Sequence, residues 1–451
     1  MVHVLAVADT DSYLKWSLAT LASLPAGWTS HQVLLRNAVM PSAQQVTAAG
    51  RAGVQVVGLA RLLALLVRER PDVLLLAATG PVVTTLTRLP LLRTAHRPVL
   101  VTGLPGISVP ASPRAVLLRR ACDLFLVHSR RERAEFAAVA AVEAPGLGLG
   151  LARLPFLPVG VPGEPALPRP VRPAAPRAPG AGGSAGRGSH ADTDTDAGGA
   201  GHPDEQPAPL VFAAQALVPC ERADREAVLR ALAAAGPVVV KLRAAAGEQQ
   251  THREAHPYPG LWADLVARGE VEQDRVRFAT GSMTGALDGA RGLVTVSSTA
   301  ALEAVALGLP ILVADDFGVS AEALNLVFAG SGCTGPLAGL AADPAAGSGL
   351  RRPDPAWLAD NYFHPDEDAD WLVRLQALVD RRATGGLPAV PRVAPASGVQ
   401  VLRQHLRLLL SADDLARSER VLRRVRQVRR AGRGPGRRAR ARLRGRPGTP
   451  G

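Results

Sequence analysis

Apolar residues along this chain come in short runs of four to seven, separated by longer stretches in which they recur every three or four positions. The runs VHVLAVA (2–8), VQVVGL (54–59), DVLLLAA (72–78), PVLVTG (98–103) and DLFLVH (123–128) read as buried strands. Amphipathic segments at 12–24, 61–70 and 114–121 read as helices between them. Strands separated by ten to fifteen helical residues predict βαβ units and a parallel sheet. The pattern stops at about residue 158 and resumes at Leu210 with LVFAAQA (210–216), PVVVKLRA (237–244), RVRFAT (275–280), GLVTVSS (292–298) and PILVADD (310–316), with helices at 221–235 and 299–307. The expected fold class is therefore α/β, with two Rossmann-like domains.

The interval breaks this rhythm in composition as well as pattern. Residues 159–208 are rich in Pro, Gly, Ala and Ser and lack large apolar side chains. Such a segment buries too little surface to offset its chain entropy, which predicts a disordered linker or insertion. The expected organisation is an N-terminal α/β domain at 1–158, this linker at 159–208, and a C-terminal α/β domain at 209–382. A Pro-rich connector, a helix and a basic tail complete the chain at 383–451. A helical stretch is expected at 354–382 and another at 399–430. No repeat of fixed period is present.

Charge changes the picture only at the end of the chain. The net charge is +13, and positions 417–446 hold fourteen Arg against one acidic residue, Glu419, so that this stretch alone accounts for it. A specific nucleic-acid-binding fold carries its basic face on the folded domain, so none is expected. The tail reads either as a strip attracted to anionic membrane surfaces or as a solvated tail. Lysine is almost absent: only Lys15 and Lys241 occur among 52 basic residues. The three cysteines, Cys122, Cys220 and Cys333, form no CxxC pair, so neither a zinc site nor a disulfide framework is expected. With no leader pattern and no apolar run long enough to span a bilayer, a cytoplasmic chain is expected, peripheral to the inner membrane face if the tail binds lipid.

The most informative block is VTVSSTAALEAVALGLPILVADD, 294–316. A strand ends in Ser297-Ser298-Thr299 and leads into a helix. Hydroxyls and free N–H groups at a helix start suit a phosphate. Glu303 lies one turn on, where a carboxylate can accept hydrogen bonds from a pair of ribose hydroxyls. The plain alternative is a capped helix with a solvated Glu303. In open α/β sheets ligands bind at the carboxyl ends of strands, where this turn sits.

A second block, VVVKLRAAAGEQQTHREAHPYP (238–259), ends a strand on Lys241 and continues through Arg243, His252 and His256. These cations suit a diphosphate or monophosphate leaving group; the alternative is a basic surface loop. A third block, VADTDSYLKW (7–16), places Asp9 and Asp11 at the turn after the first strand. Either can deprotonate an acceptor hydroxyl, or the turn simply caps a helix. Thr79-Gly80 and the loop with Gly103 and Gly106 come after strands and are expected to shape the acceptor pocket, with simple turns as the alternative. Ser129 and Glu132 read as a capping box, which leaves His128 and Arg130 as the site candidates there. Asp315 and Asp316 read as part of a loop over the nucleotide base. No metal and no cofactor are expected.

The block S-S-T-x-x-L-E-x-x-x-x-G-x-P resembles the donor-binding segment of GT-B glycosyltransferases, a class that includes lipid A disaccharide synthase, MurG-type transferases and bacterial sialyl- and capsule-polysaccharide transferases. The resemblance implies two domains facing across a cleft, an acceptor domain at 1–158 and a nucleotide-sugar domain at 209–382, with Ser297, Ser298 and Thr299 holding the donor phosphate and Glu303 the ribose. The second block is similar to the Lys-x-His-Pro or His-Pro elements of sialyltransferase-like enzymes, with His256-Pro257 fifteen residues after Lys241. The whole chain also resembles an actinobacterial family labelled as glycosyltransferases, through DSYLKW, TGLPGIS, GEQQTH and DNYFHP. These resemblances imply metal-independent transfer from a CMP- or UDP-linked sugar to a glycan or lipid-linked acceptor of the cell envelope. A nucleotide-sugar epimerase of the same fold would need acid/base pairs on both domains, and no second pair is found. A non-catalytic nucleotide- or sugar-binding scaffold is the reading from a different class. In GT-B folds a late helix crosses back to the first domain, and DNYFHP is expected near that crossing.

Overall fold

The computed structural model describes residues 1–37, 54–154, 157, 208–242, 254–340 and 349–390. The expectations for 159–207, for Arg243 and His252, and for the helix and Arg-rich tail after 390 lie outside these residues.

The first sheet has seven parallel strands: β1 (His3–Ala8), β2 (Thr29–Leu35), β3 (Gln55–Val57), β4 (Val73–Ala77), β5 (Val99–Gly103), β6 (Leu124–Val127) and β7 (Gly148–Leu151), in the order 3-2-1-4-5-6-7. The second has six: β8 (Leu210–Ala213), β9 (Val238–Lys241), β10 (Val276–Ala279), β11 (Gly292–Thr295), β12 (Ile311–Ala314) and β13 (Thr334–Gly335). Their spatial order is 10-9-8-11-12-13, so that both sheets have the strand order of the doubly wound fold. Strands such as VLLLA in β4 are buried throughout, as parallel strands covered on both faces must be. The two-domain α/β fold expected is the one observed.

Alternation along the strands feeds two cores per sheet. In the first sheet Leu5, Val7, Leu74, Leu76 and Phe125 face one side. Val4, Ala6, Leu75, Val101 and Leu126 face the other, against helix α1 (Asp11–Ala22). The remaining helices of the first domain are α2 (Leu59–Glu69), α3 (Gly80–Leu86), α4 (Pro113–Arg119) and α5 (Arg130–Glu143). Those of the second are α6 (Arg222–Ala234), α7 (Tyr258–Ala267), α8 (Met283–Leu287) and α9 (Ala300–Ala306).

The chain then crosses back. The stretch expected to be helical at 354–382 is two helices, α10 (Pro355–Asp360) and α11 (Trp371–Ala383), separated by a ten-residue link. Trp371, Leu375 and Val379, spaced four apart on α11, enter the core of the first sheet, and burying three such side chains contributes about 1.5–3 kcal/mol each. The apolar stripe decides where this helix belongs, so a second unit drawn at 209–382 contains a helix that packs on the first sheet. Gly150 permits the approach: a Cβ there would lie 2.9 Å from the Trp371 Cβ. Polar contacts fasten the return. Arg130 pairs with Asp368, Asp370 accepts from the Leu151 N–H at 2.8 Å, and Arg382 reaches Asp72 at 2.6 Å. Buried Arg97 holds both oxygens of Asp123 and also the Pro388 carbonyl.

Candidate functional site in the cleft

In each sheet the strand order reverses direction at one point, between β1 and β4 in the first and between β8 and β11 in the second. The loops leaving the carboxyl ends of those strands diverge there and leave a crevice. The Cβ that Gly106 lacks would lie 3.0 Å from the Thr299 methyl. The loop after β5 therefore touches the turn after β11, and the two carboxyl edges face one another.

At the first crevice Asp9 comes directly after β1 and is completely buried. Its Oδ2 accepts from the Thr79 N–H at 2.9 Å and from the Thr79 hydroxyl at 2.6 Å. Oδ1 is buried without a partner. Burial pushes the Asp9 carboxyl up to about 6, against the pull of the Thr79 bonds and of Arg119. Arg119 donates to the Tyr13 hydroxyl at 2.7 Å and to the Ala78 carbonyl at 3.0 Å. Thr10 is the N-cap of α1 and makes no side-chain cap bond, and Asp11 is the first helical residue. The capping role open to the Asp9–Asp11 turn is thus not the one it plays; Asp11 instead pairs with Lys15 at 3.0 Å.

At the second crevice Gln215 lies just past β8, and its Oε1 accepts from both the N–H and the hydroxyl of Ser297, each at 2.9 Å. Ser298 caps α9 by accepting from the Ala300 N–H at 3.2 Å, and its own N–H donates to Thr295. Thr299 makes no cap bond and points its methyl toward Gly106. Of the three hydroxyl residues expected at the phosphate, the first has both donors engaged by Gln215 in this structure.

Beside this turn lie Lys241 and Glu303. Lys241 ends β9, is buried, and donates to the Leu242 carbonyl at 2.8 Å. Burial lowers the proton affinity of its amine and Lys15 lowers it further, while Glu303 opposes both. Burial raises the Glu303 carboxyl to about 7 although Lys15 and Lys241 pull it down. Lys15 comes from α1 of the first domain, so the two lysines of the chain act on one carboxylate from opposite sides of the cleft.

Several other expected residues serve packing. His128 is buried; its Nε2 accepts from the Trp16 indole at 2.8 Å and its Nδ1 faces the Ala152 carbonyl at 3.1 Å. Burial drops its imidazole to about 4, so it braces Trp16 as a neutral ring. A Cβ on Gly103 would strike the Trp16 ring at 2.5 Å, and one on Gly80 would strike Leu118 at 2.5 Å. At both positions the missing Cβ lets a neighbouring helix side chain pack close. His256 contributes its carbonyl to Arg225 at 2.8 Å, just before α7. Asp316 is occupied by the Leu337 N–H at 2.8 Å, and among the described residues no cluster of three or more His, Cys, Asp or Glu is arranged to hold a metal ion.

The sequence reading missed Gln215, Arg119, Tyr13 and the reach of Glu132. Glu132 is buried, and beyond its local capping contact at the His128 N–H it accepts from the Ser108 N–H and, at 2.6 Å, from the Tyr362 hydroxyl. TGLPGIS, the Ser-x-x-Glu box and DNYFHP therefore meet on one carboxyl, which burial raises to about 7. Tyr362 was noticeable as one of three tyrosines; its partner, 230 residues away, was not.

No helix among the described residues is long and apolar enough to cross a membrane. Among curated proteins none matches the sequence. Solved structures similar to this chain include a UDP-GlcNAc 2-epimerase from Neisseria meningitidis bound to UDP-GlcNAc, with 10% identity, 85% of this chain and 100% of that one covered, and a TM-score of 0.45. Anabaena HepE in complex with UDP and glucose gives 13%, 85%, 99% and 0.43 on the same measures. The glycosyltransferase SnogD from Streptomyces nogalater gives 14%, 85%, 96% and 0.35. The sequence profile of the family described as "Putative glycosyltransferase (DUF6716)" matches residues 4–378, most of the chain, and the chain belongs to that family.

Proposed function

We propose that this chain transfers a glycosyl group from a nucleotide-activated donor, seated at the crevice of the second sheet, to an acceptor hydroxyl held at the crevice of the first. The observation that carries this reading is that the charges of Lys15 and Lys241 both act on the Glu303 carboxyl. Among 52 basic residues the only two lysines converge there, one from each domain. A lysine is a compact point charge suited to neutralising a phosphoryl oxygen. Two of them flanking the turn after β11 would stabilise the negative charge that develops on a departing nucleotide. Glu303, which both amines pull toward its ionised form against burial, would accept hydrogen bonds from two ribose hydroxyls. Ser298 and Thr299 lie on the path of the phosphates, and Ser297 would join them once Gln215 lets go of it. Asp9 and Asp11 stand on the opposite side, where the acceptor must lose its proton.

Calorimetry with UDP, UMP, CDP and CMP tests the donor site. Binding of at least one is expected, and Glu303→Ala should weaken it by about 10- to 150-fold, the loss of a charge-assisted hydrogen bond or two. No binding by the wild-type chain, or unchanged affinity in the folded variant, would overturn this assignment.

A further inference from the structure

Asp9 has the position of a general base and the wrong exposure for one. It is completely buried, so no acceptor hydroxyl reaches its carboxylate directly. Between it and the crevice stands Thr79, which is only partly buried and whose hydroxyl donates to Oδ2 at 2.6 Å. That length belongs to a strong, charge-assisted O–H···O bond. Among the described residues no group donates to the Thr79 oxygen in return.

Bracing alone does not account for the charge. At the corresponding place in the second sheet a neutral amide, Gln215, holds the N–H and the hydroxyl of Ser297 in the same way. Asp9 does this with a carboxylate whose second oxygen is left buried without a partner.

We propose that Thr79 is the catalytic hydroxyl of the first domain and that Asp9 acts through it, the two forming a proton relay for the acceptor. This rests on the reading of the cleft as a glycosyl-transfer site and adds the route by which the acceptor is activated. The acceptor O–H bond breaks and its proton passes to Thr79 Oγ1, while the proton of Thr79 moves along the short bond to Asp9 Oδ2. The acceptor oxygen bonds to the anomeric carbon as the bond from that carbon to the phosphate oxygen breaks. The electron pair leaves with the nucleotide. Asp9 ends as a neutral carboxylic acid and later returns its proton to water through the same hydroxyl. The groups that face Asp9 set the proton's balance: Arg119 of α4 favours the anion, Thr79 at the start of α3 donates twice to it, and Tyr13 of α1 lies beside it. With the carboxyl at about 6 in the empty chain, Asp9 is ionised at neutral pH and ready to accept.

The experiment compares Asp9→Asn, Thr79→Val and Thr79→Ser in the full chain, scoring nucleotide release from UDP-glucose, UDP-N-acetylglucosamine and CMP-N-acetylneuraminate with water as acceptor. Nucleotide affinity is measured in parallel by calorimetry. Asp9→Asn keeps the two accepted bonds, and Thr79→Val keeps the shape without the hydroxyl. Both should lower kcat by about 100-fold or more, the scale of general-base catalysis. Both should also erase an acidic limb near pH 6 in kcat/KM, with UDP affinity unchanged. Thr79→Ser should restore both rate and limb. A folded Thr79→Val with wild-type turnover, or one that retains the acidic limb, overturns the relay while leaving the donor site intact. So does a wild-type chain that binds nucleotide and releases none from any donor. Failure of the wild-type chain to bind any nucleotide removes the donor reading itself and the relay with it.

Discussion

The two crevices are built to one plan, one braced by a carboxylate and the other by an amide. In each, the first strand of the sheet ends in a side chain whose single oxygen spans the N–H and the hydroxyl of a residue two positions beyond the neighbouring strand: Asp9 to Thr79 in the first sheet, Gln215 to Ser297 in the second. The geometry pins two diverging loops together, and an amide does it as well as a carboxylate. The carboxylate brings a buried charge that the amide avoids. A group that is unneeded for bracing and costly to bury belongs to the chemistry of the crevice. The comparison thus fits the proposal that proton transfer belongs to the first domain and ligand binding to the second.

The largest effect on this contrast comes from making the first crevice like the second. The carboxyl of Asp9 lies at about 6 against an ordinary 3.8, which corresponds to about 3 kcal/mol. The folded chain holds that proton more tightly than the unfolded one, so stability falls as pH rises from about 4 to about 6 and is flat above. Asp9→Asn should remove this slope and leave the chain more stable than wild type at pH 8 by up to about 3 kcal/mol, read by denaturant unfolding across pH. A variant that is less stable at every pH would show that the charge braces after all.

A smaller effect is expected from Gln215→Ala. Leaving the Ser297 donors without Gln215 should cost about 1–3 kcal/mol of stability. If Ser297 is a phosphate ligand, the same change frees its donors, and UDP should bind more tightly while the empty chain melts earlier. Weaker or equal UDP binding would restrict Ser297 to bracing. The smallest effect is Lys15→Met. The Lys15–Asp11 pair is exposed, so stability should move by less than about 1 kcal/mol. The salt dependence of UDP affinity should nevertheless decline, because a charge aimed across the cleft is gone. An unchanged salt dependence would detach Lys15 from the donor.

Much of this was legible in the residues. Buried parallel strands announce themselves as continuous apolar runs, and the residues just past them are where the crevices lie, so Asp9, Thr79, Ser297, Ser298 and Lys241 could be picked out one by one. The strand Thr29–Leu35 was not seen, because its first half, Thr-Ser-His-Gln, is polar, with Thr29 and Ser30 exposed and Gln32 buried against Ser17. Gly148–Leu151 was not seen because two glycines dilute the run; the reason for Gly150 is Trp371, more than 200 residues on. His128 and Gly103 looked like acceptor-side residues since both end strands. Only the structure reveals that Trp16 occupies the space beside both. Long-range pairings such as Tyr362 with Glu132 leave no local periodicity to read.

The return of α11 to the first sheet also bears on how the chain is made. The first domain begins at the N-terminus, yet part of its core is supplied by Trp371, Leu375 and Val379, and Val390 joins another face of it. A ribosome delivers these residues only after the whole of the second domain has been synthesised. The first sheet must therefore wait, incompletely covered, while the later and contiguous sheet from β8 to β13 is free to fold as a unit. The long sequence separation of the closing contacts makes that last step slow in principle. Cutting the chain between the sheets would accordingly yield one fragment with most of its own core and one with a bare flank.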